Sequence, residues 1–166
     1  MVKLASNENP LGASPKALAI LSELESDMHL YPDGNGTKLK KEIADHENVP
    51  FDNIIIGNGS NEILELAARA FLNPDTSSIA SKHAFAVYKI VTQSAGASMI
   101  EVPTCNWSHD LKSFADHLKK NTRVIFIANP NNPTGTHLSA DELTDFLTQV
   151  PEQTLVVIDE AYVEYG

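Results

Sequence analysis

Three scarcities narrow what this chain can be. It has one cysteine, Cys105, in 166 residues. No internal disulfide can form, so a reducing cytoplasm is the expected compartment. It has only two arginines, Arg69 and Arg123, and a formal charge of −10. No basic patch offsets that charge, which argues against nucleic acid and anionic membranes as partners. An anionic ligand would have to be held largely by backbone N–H groups, by hydroxyls, or by residues outside this chain. No apolar stretch reaches the roughly 18 residues a membrane span needs. The opening Met1-Val2-Lys3-Leu4-Ala5-Ser6-Asn7 also lacks the apolar core of a signal peptide. Internal repeats, low-complexity tracts and long linkers are absent too.

What is present is globular. The chain is 42% hydrophobic and 20% charged, and its length allows one domain with a sizeable core. Residues 1–14 are polar and read as an extended arm. Residues 15–47 read as arm helices: Pro15 opens the first, with Ala17, Leu18, Leu21 and Leu24 at helical spacing. A Tyr31-Pro32-Asp33-Gly34-Asn35-Gly36 turn follows, then a helix from about Thr37 to Glu47. From residue 48 strands and helices alternate. Strands are predicted at Asn53–Gly57, Ser78–Ser81, Ser98–Val102, Arg123–Ala128 and Thr154–Asp159. Helices are predicted at Asn61–Phe71, Phe85–Ser94, Leu111–Lys119 and Ser139–Gln149, the last opened by a capping box. Apolar strands alternating with helices predict an α/β fold: a three-layer αβα arrangement with a mostly parallel sheet. Such sheets bind ligands beyond the carboxyl ends of their strands.

Three strand ends carry unusual sequence. Gly57-Asn58-Gly59-Ser60-Asn61-Glu62 places glycines and then Ser60 and Asn61 at a helix start, where unpaired N–H groups favour a phosphate. It is equally a plain turn with a capping residue. Asn129-Pro130-Asn131-Asn132-Pro133-Thr134-Gly135 is a rigid turn whose asparagines can face a ligand hydroxyl, or simply a stop to the strand. Asp159-Glu160-Ala161-Tyr162 ends a buried strand with a carboxylate, which is costly there unless it has a partner. A protonated pyridine nitrogen is one such partner; a cap on the next element is the other reading.

Taken together, these motifs resemble the fold-type I, pyridoxal-phosphate (PLP)-dependent aminotransferases, and more narrowly the histidinol-phosphate aminotransferase group. The likeness covers nearly the whole chain. It includes Asn7-Glu8-Asn9-Pro10-Leu11-Gly12, Leu30-Tyr31-Pro32-Asp33 and His83-Ala84-Phe85-Ala86-Val87-Tyr88. Threonine-phosphate decarboxylases share much of the pattern.

The resemblance implies roles. Ser60 and Asn61 hold the cofactor phosphate through backbone N–H groups. Phe85 stacks on the pyridine ring, where many relatives have Tyr. Asn132 and Tyr162 bond the ring's phenolate oxygen, and Asp159 pairs with the ring nitrogen. Tyr31 reaches the phosphate in the neighbouring subunit of a homodimer. Asn7, Glu8 and Asn9 lie near the substrate, although some relatives have Tyr in place of Asn9. No metal is implied. The reaction implied is amino transfer between histidinol phosphate and 2-oxoglutarate, both small molecules.

One departure stands out. The family's cofactor-bearing lysine follows the Asp-x-x-Tyr strand in a Ser-Lys segment, and nothing like it occurs before Gly166. Of the ten lysines, Lys82 lies beside the Phe85 loop, but it does not match that segment. Residues 48–166 are therefore expected to be the first part of the PLP-binding large domain of the aspartate aminotransferase-like fold. The expectations are that the first strand sits apart from the others and that this chain is inactive alone. A related decarboxylase and a non-catalytic truncated domain are the competing readings.

Overall fold

The computed structural model describes residue 3 and residues 6–24 and 28–165. Residues 1, 2, 4 and 5 of the expected arm lie outside the described residues. The chain divides into two compact units, Met1–Ile55 and Ile56–Gly166.

In the first unit, Ser14 caps helix α1 (Pro15–Glu23) by accepting from the Ala17 N–H at 3.2 Å. Pro15 takes the first helical position, where a missing N–H costs nothing. Leu18, Ile20, Leu21 and Leu24 remain more than half exposed. Asp33 closes the next turn, accepting from the N–H groups of Asn35 at 3.0 Å and Thr37 at 2.8 Å. Those bonds, led by Thr37, hold its carboxyl below the usual range. Helix α2 (Thr37–Glu47) buries none of its residues. In the 3₁₀ turn Phe51–Asn53, the Phe51 ring lies 4.5 Å from the Lys40 ammonium.

The second unit carries the core. Its elements are α3 (Ser60–Phe71), β1 (Ser77–Ser81), α4 (Val87–Ser94), β2 (Ser98–Val102), β3 (Thr104–Cys105), β4 (Ser108–His109), α5 (Leu111–His117), β5 (Thr122–Ala128), α6 (Ala140–Leu147) and β6 (Leu155–Asp159). The four-stranded sheet runs β2-β1-β5-β6 with every pairing parallel. Alternation along β5 splits the core by face. Val124, Phe126 and Ala128 pack with Leu64, Ala68, Tyr88 and Val91 of α3 and α4. Ile125 and Ile127 pack with Phe114 of α5 and Phe146 of α6. This is the three-layer arrangement the pattern predicts. Each fully buried large side chain contributes about 2–3 kcal/mol of burial free energy.

β1 reads poorly as a strand, Ser-Ser-Ile-Ala-Ser, yet every residue in it is buried. Its hydroxyls are satisfied: Ser78 meets Thr92 at 2.7 Å, and Thr92 donates to the Tyr88 carbonyl at 2.7 Å.

Three expectations need correction. Asn53–Gly57 is not a strand. Ile54 has extended backbone (φ −105°, ψ 128°), but no ladder includes residues 54–57 among the described residues. A β-branched run becomes a strand only with a neighbour to bond, and Ile55 stays 76% exposed. The helix expected from Phe85 starts at Val87, leaving Phe85 in the preceding loop. The helix expected to reach Lys119 stops at His117, because Leu118 turns extended (φ −61°, ψ 132°).

Candidate active site

The carboxyl ends of β5 and β6 open into a cleft with about 290 Å³ of empty space, open solvent included. Ser60, Phe85, Ala128, Pro130, Asn132, Asp159, Ala161 and Tyr162 line it. The sequence reading placed its chemistry at three strand ends, and residues from all three motifs meet here. Phe85 joins them from the loop after β1.

The Asn129–Leu138 loop is locked from within. The Asn129 side-chain amide donates to the Leu138 carbonyl at 3.0 Å and accepts from the Leu138 N–H at 2.8 Å. Its backbone N–H extends the sheet ladder to the Asp159 carbonyl at 3.0 Å. Asn131 donates to the His83 carbonyl at 2.8 Å and to the Thr134 hydroxyl at 2.7 Å. Its Oδ1 is buried without a hydrogen-bond partner. The peptide bonds before Pro130 and Pro133 are cis. Between these two anchored asparagines, Asn132 is left half-buried on the cleft wall.

The opposite wall begins at α3. Its N-cap is Gly59, at φ +77°, and no side chain caps the helix. Ser14, Asp110 and Ser139 do cap α1, α5 and α6. An uncapped N-terminus keeps N–H donors and the positive end of the helix dipole for an anion. A Cβ added at Gly57 would lie 2.8 Å from Ile63 Cδ1, the end of a side chain that would have to turn aside. Glu62 braces the turn, its carboxylate accepting from the Asn58 N–H at 2.6 Å and from the Asn58 side-chain amide at 2.9 Å.

Asp159 ends β6 with both carboxylate oxygens engaged. Oδ2 accepts from the Tyr88 hydroxyl at 2.9 Å, and Oδ1 from the Ala161 N–H at 3.3 Å. Burial, first, and the Asp159 charge, second, push the Tyr88 hydroxyl far above its ordinary pKa. It therefore stays a donor.

Behind the cleft, His109 joins two strand ends. Its Nε2 bonds the Ala128 carbonyl at 2.8 Å and its Nδ1 the Ser81 hydroxyl at 2.7 Å. A carbonyl only accepts, so Nε2 carries the proton. Burial holds the His109 pKa down against the opposing effect of the Ala128 bond.

The sequence matches the aminotransferase class I and II family along residues 1–166. The chain belongs to that family. It is 56% identical to histidinol-phosphate aminotransferase 2 of Pseudomonas fluorescens over 166 residues, all of this chain and 45% of that protein. Its fold matches histidinol-phosphate aminotransferase from Sinorhizobium meliloti, solved in complex with pyridoxal-5′-phosphate. That match has a TM-score of 0.92 at 27% identity, covering 96% of this chain and 44% of the other. The Clostridium acetobutylicum enzyme gives a TM-score of 0.84 at 29% identity, covering 97% and 47%. The chain thus spans less than half the length of the aminotransferases it matches.

Of the residues singled out in the sequence, Ser60, Phe85, Asn132, Asp159 and Tyr162 line the cleft. Asn61 follows Ser60 in the first turn of α3. Asn7, Glu8, Asn9 and Tyr31 belong to the first unit. There, Asn9 forms a tight turn with Leu11 and Gly12, Glu8 pairs with Lys3 at 2.6 Å, and Tyr31 is fully exposed. Lys82 is exposed and is not among the residues lining the cleft, nor is any other lysine. Among the described residues no helix is long and apolar enough to cross a membrane, and no cluster of three or more His, Cys, Asp or Glu is placed to hold a metal ion. Sequence reasoning missed Tyr88, Asn129 and His109. Tyr88 and Asn129 lie inside recognised motifs, but their partners are distant in sequence or are backbone atoms.

Proposed function

We propose that this chain is the cofactor-cradling part of a PLP-dependent aminotransferase that moves an amino group between histidinol phosphate and 2-oxoglutarate in histidine biosynthesis. The observation that carries the reading is the convergence of Ser60, Phe85, Asn132, Asp159 and Tyr162 on one cleft. Those side chains suit PLP: an uncapped helix start for its phosphate, an aromatic face for its ring, and a carboxylate for its nitrogen. When bound, PLP supplies a carbon that carries the amino group and a ring that withdraws electrons.

The chain's own residues do the rest. The Ser60 and Asn61 N–H groups hold the phosphate. Phe85 covers one ring face and keeps water off it. Asn132 and Tyr162 donate to the phenolate oxygen and set the ring's rotation. Asp159 keeps a proton on the ring nitrogen through a charge-assisted bond. Residues 48–166 form the first part of the large domain. Tyr31 and Asn7, Glu8 and Asn9 serve the phosphate and substrate in a cytoplasmic homodimer.

The 166-residue chain is inactive alone, because it has no lysine in the family's Ser-Lys context. Pyridoxamine 5′-phosphate is the appropriate probe, since it carries no aldehyde to condense with surface lysines. It should bind the chain, and Asp159→Asn should weaken it by about tenfold or more. An assay with histidinol phosphate, 2-oxoglutarate and PLP should show no turnover by this chain. Turnover would overturn the inactivity, and absence of binding would overturn the cofactor reading.

A further inference from the structure

We propose that Tyr88 is a positioning residue for Asp159, aiming its carboxylate at the nitrogen of the bound ring. The inference rests on the cofactor reading of the cleft and adds a residue to it.

Tyr88 is fully buried at the start of α4. Its ring lies parallel to Phe126, with centroids 4.9 Å apart and an interplanar angle of 5°. Phe85 meets it edge-on at 5.8 Å and 89°. Held between two aromatic neighbours, the phenol has little freedom to swing, and its hydroxyl sits 2.9 Å from Asp159 Oδ2. Asp159 lies 71 residues away in sequence, on a strand at the sheet edge. β6 is only half-buried along its length, so packing alone fixes a side chain at its end poorly. The Tyr88 hydroxyl on Oδ2 and the Ala161 N–H on Oδ1 together set the tilt and rotation of the carboxylate. Its remaining acceptor directions are available to the cleft it lines. Phe85 lines the same cleft and touches Tyr88, so the residue on the ring face and the residue behind the carboxylate form one packed unit.

The same contacts also fit a purely structural role, in which Asp159 only satisfies a buried hydroxyl. The two differ in what Tyr88→Phe does to ligand discrimination. The experiment titrates the 166-residue chain with pyridoxamine 5′-phosphate and with its analogue bearing C–H in place of the ring nitrogen. The unsubstituted chain should prefer the nitrogen-bearing ligand. Tyr88→Phe keeps the ring stack and should weaken that ligand by about tenfold. The analogue should hardly change, so the preference collapses. In an Asp159→Asn background the same substitution should change affinity less than about twofold. Tyr88→Met, which fills the space without a hydroxyl, should repeat the result if the Phe variant folds poorly. A preference left intact in both variants overturns the positioning role while sparing the cofactor reading. No preference in the unsubstituted chain overturns the cofactor reading, and this inference with it.

Discussion

Two segments border the same cleft, the loop from Asn129 to Leu138 and the turn from Gly57 to Ser60, and they are held by different means. The loop is anchored by buried side chains. Asn129 closes a reciprocal pair with the Leu138 backbone, and Asn131 ties it to His83 and Thr134. The turn is exposed and rests on one carboxylate, Glu62, and on glycine backbone. The difference separates two tasks. A hydrogen-bonding amide such as that of Asn132 needs fixed geometry before a ligand arrives. An anion at a helix start needs only open N–H groups, and it supplies the missing cap itself.

The largest way to break this contrast is Asn129→Ala. It leaves the buried Leu138 N–H and carbonyl without partners and should cost about 3 kcal/mol, a fall in melting temperature of roughly 10 °C. A shift no larger than that of a surface substitution would mean the loop is not locked by this side chain.

Gly59→Ala probes the other wall. Nothing lies within 4 Å of the added Cβ, so the whole cost is the backbone at φ +77°. That cost is about 2 kcal/mol, because φ +77° with ψ 173° is backbone that essentially only glycine adopts, and Gly59→Asn should cost as much, since this ψ lies far from the left-handed helical region asparagine tolerates. Thermal melts of the two variants compare them directly.

His109 supports the locked side from behind. Its folded pKa is below the ordinary 6.5, so below that pH the unfolded chain binds a proton that the folded chain refuses. Stability should therefore fall as pH drops through about 6.5, until the folded group also protonates. Denaturant melts of the chain and of His109→Gln across pH 5 to 8 check this. The variant should lose that part of the slope.

Glu62→Gln should be the mildest change, below about 0.5 kcal/mol, since an amide oxygen can still accept from the Asn58 N–H. A loss as large as that from Asn129→Ala would erase the contrast between the two walls.

What could be read in advance follows the same division. β5 and β6 were legible because a strand buried in a parallel sheet is a continuous apolar run. The capping box at Ser139 and Glu142 was legible because both partners lie within one turn. The cleft-lining residues were legible as motifs, since Phe85, Asn132, Asp159 and Tyr162 each sit at or within a few residues of a strand end and Ser60 opens a helix after a glycine turn. Asn53–Gly57 misled because its β-branched run is local whereas pairing is not. The β3–β4 hairpin went unread because its turn places Asn106 and Trp107 at positive φ, where a glycine would have signalled it. Tyr88→Asp159 and Asn129→Leu138 were hidden for the same physical reason: one spans 71 residues, and the other uses backbone atoms that any sequence offers.

The central claim is that loops at one rim of the sheet jointly cradle a flat, phosphorylated ring. Amide chemical-shift mapping of the 166-residue chain with pyridoxamine 5′-phosphate tests it most directly. Shifts should concentrate at Ser60, Asn61, Phe85, Asn132 and Ala161–Tyr162, saturating together with one dissociation constant. Shifts confined to one wall, or scattered away from the carboxyl ends of β5 and β6, would contradict it.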